Sequence, residues 1–472
     1  MTSNVPSDPV RLDMIRDCFE GAIPSSLATA SLSGIPNIVY ISQVQYVDAE
    51  HIALTFQFFN KTHHNIHENP HAVLRVVNPF SGNAYRLRLR YLHTETSGGL
   101  FEKMRAKLAG IASHTGMSGV FKLLGSDIYK VESITALSHH THTFKPVKPA
   151  GLPRLRQAAA RIGQCEELSN LVDTSLALLG SHFAVTHAMF LVLDETGNRL
   201  FTCSSLGYED AGIGSEILLG EGVIGVAARE ATAIRISHMT SEYAYGKAIR
   251  QSAEALGQPL ETAIPLPGLA ESRSQLALPL VNSRCTLGVI YVESEQDLAF
   301  DYDDEDLLET FVQLVAAQMQ LVTANKPREL PIDPSLLDGA TREELADDIA
   351  LESADCPLAD NETPSGEPVT VRFFSADQSV FLGDDYLIKG VAGAIFWLLV
   401  QEYCTQGRTR FSNRELRLNP CLRLPGVADN LEARLTLLQK RLAERDACVQ
   451  MHKCGRGRFS IHVKAPLTLT TA

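Results

Sequence analysis

Charge is divided unevenly along this chain, and that division constrains the architecture more than any single motif. Residues 325–370 hold twelve Asp/Glu against three Lys/Arg, mixed with prolines and small polar residues. A segment so poor in apolar surface cannot offset the entropy of being ordered, so 325–368 reads as an acidic linker. Within it, Thr341 with Glu344 three residues on has capping-box spacing and predicts one short helix. From 401 to 464 the balance reverses to thirteen Lys/Arg against six Asp/Glu, inside a protein of net charge −13. A basic end on an acidic molecule points to a local polyanion site rather than to diffuse attraction.

The 472 residues leave room for about three domains. No apolar run is long enough to span a membrane, and the first residues lack the basic-then-apolar order of an export signal. The expectation is a cytoplasmic protein with no membrane partner. Nine scattered cysteines, none in C-x-x-C spacing, read as reduced thiols rather than metal ligands. No Ser-His-Asp set and no paired carboxylates demand catalysis, so neither a catalytic nor a metal site is assigned.

Over residues 10–145 the text alternates between β-rich runs and turns. IPNIVYISQVQYVD, HIALTFQFF, HAVLRVVNP, AYRLRLRYLHTET and SDIYKVESITAL read as strands of a small antiparallel barrel. KTHHNIHENP reads as a short helix that ends at Pro70. The words FQFFNKTHHNIHENPHAVLRVV resemble the pyridoxamine-phosphate-oxidase-like split barrel, a family that often binds FMN at a dimer interface. The resemblance implies that Lys61 and Thr62 hold the flavin phosphate, with Asn60 and Asn65 nearby. Strand residues Ile41, Ser42 and Gln43, with Phe56 and Gln57, would face the ring system. A cation, hydroxyls and backbone donors at a helix N-terminus are the chemistry a phosphate needs. His63 and His67 share a helical face and, with His64, leave a metal or haem alternative open beside surface histidines.

After the proline-rich joint PVKPAGLP, residues 152–323 open with helical spacing and continue into strands, ending in DYDDEDLLETFVQLVAAQMQLVTA. This reads as an α/β sandwich with a mixed sheet. GEGVIGVAAREATAIRIS and QLALPLVNSRCTLGVIYVES resemble the GAF domain, a small-molecule sensor fold, and Gly220, Gly222 and Gly225 suit a tight loop. The segment around Tyr243, Tyr245 and Lys247 is either a lid over the ligand pocket or a loose excursion. Cys203 and Cys285 fall on or beside strands, where buried inert thiols are expected.

Residues 369–466 begin with two or three short strands and an apolar helix, VAGAIFWLLVQEYC. FSNRELRLNP, capped by Ser412 or Asn413, then precedes ADNLEARLTLLQKRLAERD and the hairpin CVQMHKCGRGRFSIHV. This order resembles the winged-helix domain of response-regulator-type transcription factors. The resemblance implies a recognition helix carrying Asn430, Arg434, Thr436, Gln439, Lys440 and Arg441, and a wing carrying Lys453, Arg456 and Arg458. Such a helix lies in the major groove while the wing touches phosphates.

The fold class expected is therefore multidomain α+β: antiparallel split β-barrel, central GAF sandwich, C-terminal winged helix. The function expected is ligand- or redox-responsive transcriptional regulation, with DNA and a small GAF ligand as partners and FMN as possible cofactor. A homodimer is expected, with the helices around 154–181 and 302–323 as its spine. An FMN-dependent oxidoreductase with accessory domains and a protein-docking signalling adaptor are the rival readings.

Overall fold

The computed structural model describes residues 10–41, 43–57, 60–114, 123–138, 148, 150–194, 197–237, 264–283, 285–324, 364–419, 422, 431–455 and 457–471. Ser42, Asn430, Arg456, the helix expected from Thr341 and the segment around Tyr243 lie outside the described residues, as does the side chain of Asn60.

A 3-10 helix, Leu12–Phe19, leads into strands β1 (Ser25–Ala30), β2 (Pro36–Ile41), β3 (Val44–Tyr46) and β4 (His51–Phe56). Helix α1 (Asn60–Glu68), β5 (His71–Val77), β6 (Ala84–Glu95), α2 (Gly99–His114) and β7 (Gly125–Ala136) complete the unit. The strands pair antiparallel in the order β2-β1-β5-β6-β7-β4-β3. Alternation in β1 and β5 places Leu27, Ala72, Leu74 and Val76 on the buried face. Register shifts at Arg88/Leu89 and Tyr91/His93 bend the long β6–β7 pair. Among the described residues no ladder joins β2 to β3, so the sheet is a curled half-barrel.

The central unit follows with α3 (Gly151–Ile162), α4 (Leu168–Phe183), β8 (His187–Leu193), β9 (Arg199–Leu206) and β10 (Glu216–Leu218). Next come α5 (Gly222–Glu230), β11 (Ile234–Ile236), β12 (Ser274–Asn282), β13 (Cys285–Ser294) and α6 (Tyr302–Ala324). Its sheet runs β10-β9-β8-β13-β12-β11, and every pairing is antiparallel, which corrects the expected mixed sheet. Leu171, Val172 and Leu179 of α4 and Phe311, Val312 and Val315 of α6 are buried in one core, so these helices spend their apolar faces within the chain. Helix α5 covers the opposite face. Its entry needs glycine: Gly220 has φ +86°, and a Cβ on Gly225 would strike the Leu218 carbonyl. Asp303, Asp304 and Glu305 in the first turn of α6 face the positive end of its dipole.

The last unit has β14 (Val369–Phe374), β15 (Ser379–Leu382), β16 (Asp385–Ile388), α7 (Gly390–Gln406), β17 (Arg410–Ser412) and α8 (Asn413–Leu418). Then come α9 (Leu431–Glu444), β18 (Val449–Lys453), β19 (Arg458–Val463) and β20 (Leu467–Thr471). Ser412 is the cap of α8, in a full capping box with Glu415. β20, which the sequence reading missed, returns to pair in parallel with β14 and extends the sheet β16-β15-β14-β20. A second sheet, β17-β19-β18, contains the expected hairpin. Buried Ile395, Phe396, Leu399, Leu431, Leu438, Leu442 and Phe459 belong to the same continuous core as the helices of the central unit. No helix among the described residues is long and apolar enough to cross a membrane.

Candidate functional site

Helix α1 begins just after β4, as the sequence implied, but its residues divide by face. Thr62, Asn65 and Ile66 are at i, i+3 and i+4 and all are buried, whereas Lys61 is exposed. Asn37 Nδ2 donates to Thr62 Oγ1 at 2.8 Å, and Asn65 Nδ2 donates to Thr29 Oγ1 at 3.1 Å. These bonds fasten α1 to β1 and β2, so Thr62 and Asn65 do not converge with Lys61 on a phosphate. The cavity beside them, lined by Leu27, Leu54, Thr62, His63, Asp127 and Tyr129 among others, holds about 10 Å³. That is room for one water. Among the described residues, Gln43 Nε2 and Gln57 Nε2 are buried without a hydrogen-bond partner. The resemblance places the flavin at an interface between two subunits, and Lys61 at the start of α1 is exposed.

What the cavity does hold is a polar-aromatic cluster that sequence reading missed. Phe56 stacks on His63 at 4.0 Å between centroids, His63 meets His67 at 4.2 Å, and His67 meets Tyr91 at 5.1 Å. Burial, then His67, lowers the His63 pKa. Thr94 donates to Asp127 at 2.6 Å, and burial raises the Asp127 carboxyl above its ordinary range. Tyr129 OH has no partner. The alternation of SDIYKV puts Asp127 and Tyr129 on one strand face, a signal that was available. Among the described residues no three His, Cys, Asp or Glu are placed to hold a metal.

A second buried network ties the half-barrel to the central unit. Arg235 Nε donates to Glu305 at 2.7 Å, and its Nη1 bonds Glu20 and the Phe300 carbonyl. Tyr302 lies under the guanidinium, 4.4 Å to the ring centroid, and belongs to the half-barrel's core. Burial opposes the charge on Arg235, but Glu20 and Glu305 outweigh it and hold the pKa above the usual arginine value. Lys103 of α2 pairs with Glu305 at 2.6 Å. In the interior of the central unit, Glu293 accepts from Tyr208 OH at 2.8 Å, Leu269 N at 2.9 Å and Tyr291 OH at 3.2 Å.

Of the expected DNA-contacting residues, Arg434, Lys440 and Lys453 meet the central unit. Lys440 pairs with Asp173 of α4 and bonds Ser204 Oγ of β9 at 3.0 Å. Lys453 reaches Glu167 and Ser169, both at 2.6 Å. The Arg434 guanidinium lies over the Phe201 ring, 4.9 Å to its centroid. Gln439 is turned inward, donating to the Met451 carbonyl at 3.3 Å. Arg441 is 2% exposed and bonded to the Leu387 carbonyl and to Glu444, so as placed it touches neither base nor phosphate; Thr436 is likewise buried. This corrects the reading of α9 as an open basic face. Arg441 sits between Leu438 and Leu442, on the edge of the apolar stripe, and that spacing could have shown it. Arg458, with Arg414 and Arg417 of α8, is exposed.

Cys203 is buried beside these cations, and burial pushes its thiol up to about 12. Cys285, expected to be buried, is exposed. Cys454 is disulfide-bonded, which departs from the expectation of uniformly reduced thiols.

A six-stranded antiparallel sheet flanked by α3, α4 and α6 on one face and α5 on the other defines a GAF domain. Residues 167–319 match the family model for the GAF domain, and a signal-sensing role follows for this part of the chain. Among solved structures, the chain is similar to the GAF domain of Acinetobacter phosphoenolpyruvate-protein phosphotransferase, with 19% identity and a TM-score of 0.30. That match covers 39% of this chain and 100% of the other. An FMN-binding protein from Syntrophomonas wolfei subsp. wolfei is 21% identical over 27% of this chain and 90% of its own, with a TM-score of 0.22. Free methionine-R-sulfoxide reductase from Neisseria meningitidis is 17% identical over 40% of this chain and 99% of its own, with a TM-score of 0.29. No curated protein compared with the chain matches it.

Proposed function

We propose that the chain is a ligand-responsive transcriptional regulator whose C-terminal unit is a winged helix that binds DNA. One observation carries the reading. Arg434 and Lys440 of α9 and Lys453 of the hairpin project to one side, although two different elements supply them. A polyanion needs that convergence, and scattered surface cations do not supply it. Exposed Arg414, Arg417 and Arg458 add phosphate contacts at the margin of the same unit. The GAF domain supplies the signal input. An FMN held by the half-barrel would be a second input, with the exposed Lys61 at the start of α1 to meet its phosphate, and the rival oxidoreductase reading depends on it.

The exposed side chains of Ile38 (73%) and Tyr40 (74%) on edge strand β2 favour a homodimer that covers them. The docking-adaptor reading keeps one observation in its favour: the cations of α9 already rest on a protein surface. Selection of duplexes from a random pool by the full-length protein at low salt separates the two. Regulation through DNA predicts an enriched motif and its loss in Arg434→Ala/Lys440→Ala; a pool that stays random through repeated rounds rejects the DNA reading.

A further inference from the structure

We infer that the GAF face built from α4 and β9 is a competitor for DNA, holding the cations of α9 and the hairpin so that both partners cannot be bound at once. The inference rests on the DNA-binding reading of the C-terminal unit and adds its regulation. Two of the occupied groups are among those expected to meet phosphate: Lys440 is spent on Asp173, and Lys453 on Glu167. The acceptors are a carboxylate beside a hydroxyl in each case, Asp173 with Ser204 and Glu167 with Ser169. Each cation is thus given an anionic oxygen and a neutral oxygen, much as a phosphate and its neighbouring sugar would give.

The same interface also holds an aromatic ring and a leucine. The Arg434 guanidinium covers the Phe201 ring, and Leu437 lies against Gly214. A flat charge pair alone would be screened by salt; an aromatic and a leucine in the same interface add contacts that salt does not screen. Lys389 adds a further pair with Glu216 of β10 at 3.2 Å. The carboxylates at the rim remain open to water: Asp173 is 60% exposed and Glu167 41%. Exposed pairs are individually weak, so opening the clasp also has to part the apolar contacts that join the two units. A GAF ligand that moves α4 or β9 changes the geometry of all these contacts together, which is the differential interaction that a population shift requires.

The test uses the full-length protein and a duplex carrying the selected motif. Glu167→Gln/Asp173→Asn removes the two acidic contacts with little change of shape, and Glu295→Gln/Asp297→Asn on the same domain matches its change in net charge. The clasp predicts that the first variant binds DNA about tenfold more tightly than the wild type. It also predicts faster amide exchange across 431–444, with the control behaving as wild type. If wild type and both variants bind DNA equally well, the occlusion is wrong while the DNA-binding reading stands. If the first variant and its control gain alike, the effect is general charge and the clasp is again rejected. If none of the three is retained on DNA at low salt, the DNA reading fails and takes the clasp with it.

Discussion

Where the GAF domain meets the half-barrel, Arg235 and Glu20 form an ion pair with both side chains 2% exposed; where it meets the C-terminal unit, Lys453 and Glu167 are 40% and 41% exposed. The first pair lies in a sealed pocket, with Tyr302 under the guanidinium and Glu305 and the Phe300 carbonyl completing its bonds. Breaking one partner there strands a charge away from water. The second can exchange its partner for water or phosphate at little cost. One domain thus makes a permanent joint on one side and a reversible one on the other. The contrast concerns the polar contacts alone, since the apolar core of the C-terminal unit runs on into that of the central unit.

The comparison breaks most readily at Arg235. Arg235→Ala is expected to destabilise the protein by about 3–5 kcal/mol, because Glu20 and Glu305 are left buried and unpaired. Urea unfolding at neutral pH reads this directly, and a loss under about 1 kcal/mol would mean the joint is no more sealed than the clasp. Next in size, Lys453→Ala and Lys440→Ala should each cost about 1 kcal/mol or less in the same assay, since their pairs reach solvent. Raising the salt concentration should speed exchange in α9 while leaving β11 protected. Equal responses from both regions would erase the distinction.

The smallest expected effect belongs to the half-barrel cavity. Burial raises the Asp127 carboxyl, so the neutral acid is favoured in the folded state. The stability this supplies is fully present below the ordinary carboxylate range, near about pH 4, and is lost as pH rises through the folded value. Asp127→Asn keeps an acceptor for Thr94 and cannot ionise. It should melt slightly higher than the parent at neutral pH, with the gain fading as pH falls toward 4. A gain that is constant across that range contradicts the assignment.

The elements were legible because they are local. Alternation exposed β5, glycines marked the entry to α5, and the start of α8 was narrowed to Ser412 or Asn413. Short range also carries two facts that were not read: Thr62, Asn65 and Ile66 share a buried helical face, and Arg441 flanks the stripe of Leu438 and Leu442. By contrast, the clasp joins Lys440 to Asp173 and Lys453 to Glu167 across more than 260 residues, and no periodicity reports which surface a cation will meet. β20 was missed for the same reason, since LTLTT acquires its partner only from β14.

The most direct measurement is hydroxyl-radical footprinting of the full-length protein with and without duplex DNA, followed at two rings. Phe201 lies beneath Arg434 in the reversible contact, and Tyr302 lies beneath Arg235 in the sealed one. Release of α9 onto DNA predicts that labelling of Phe201 rises while Tyr302 stays protected. DNA bound with Phe201 still protected would show that α9 never leaves the GAF domain, and would contradict the account.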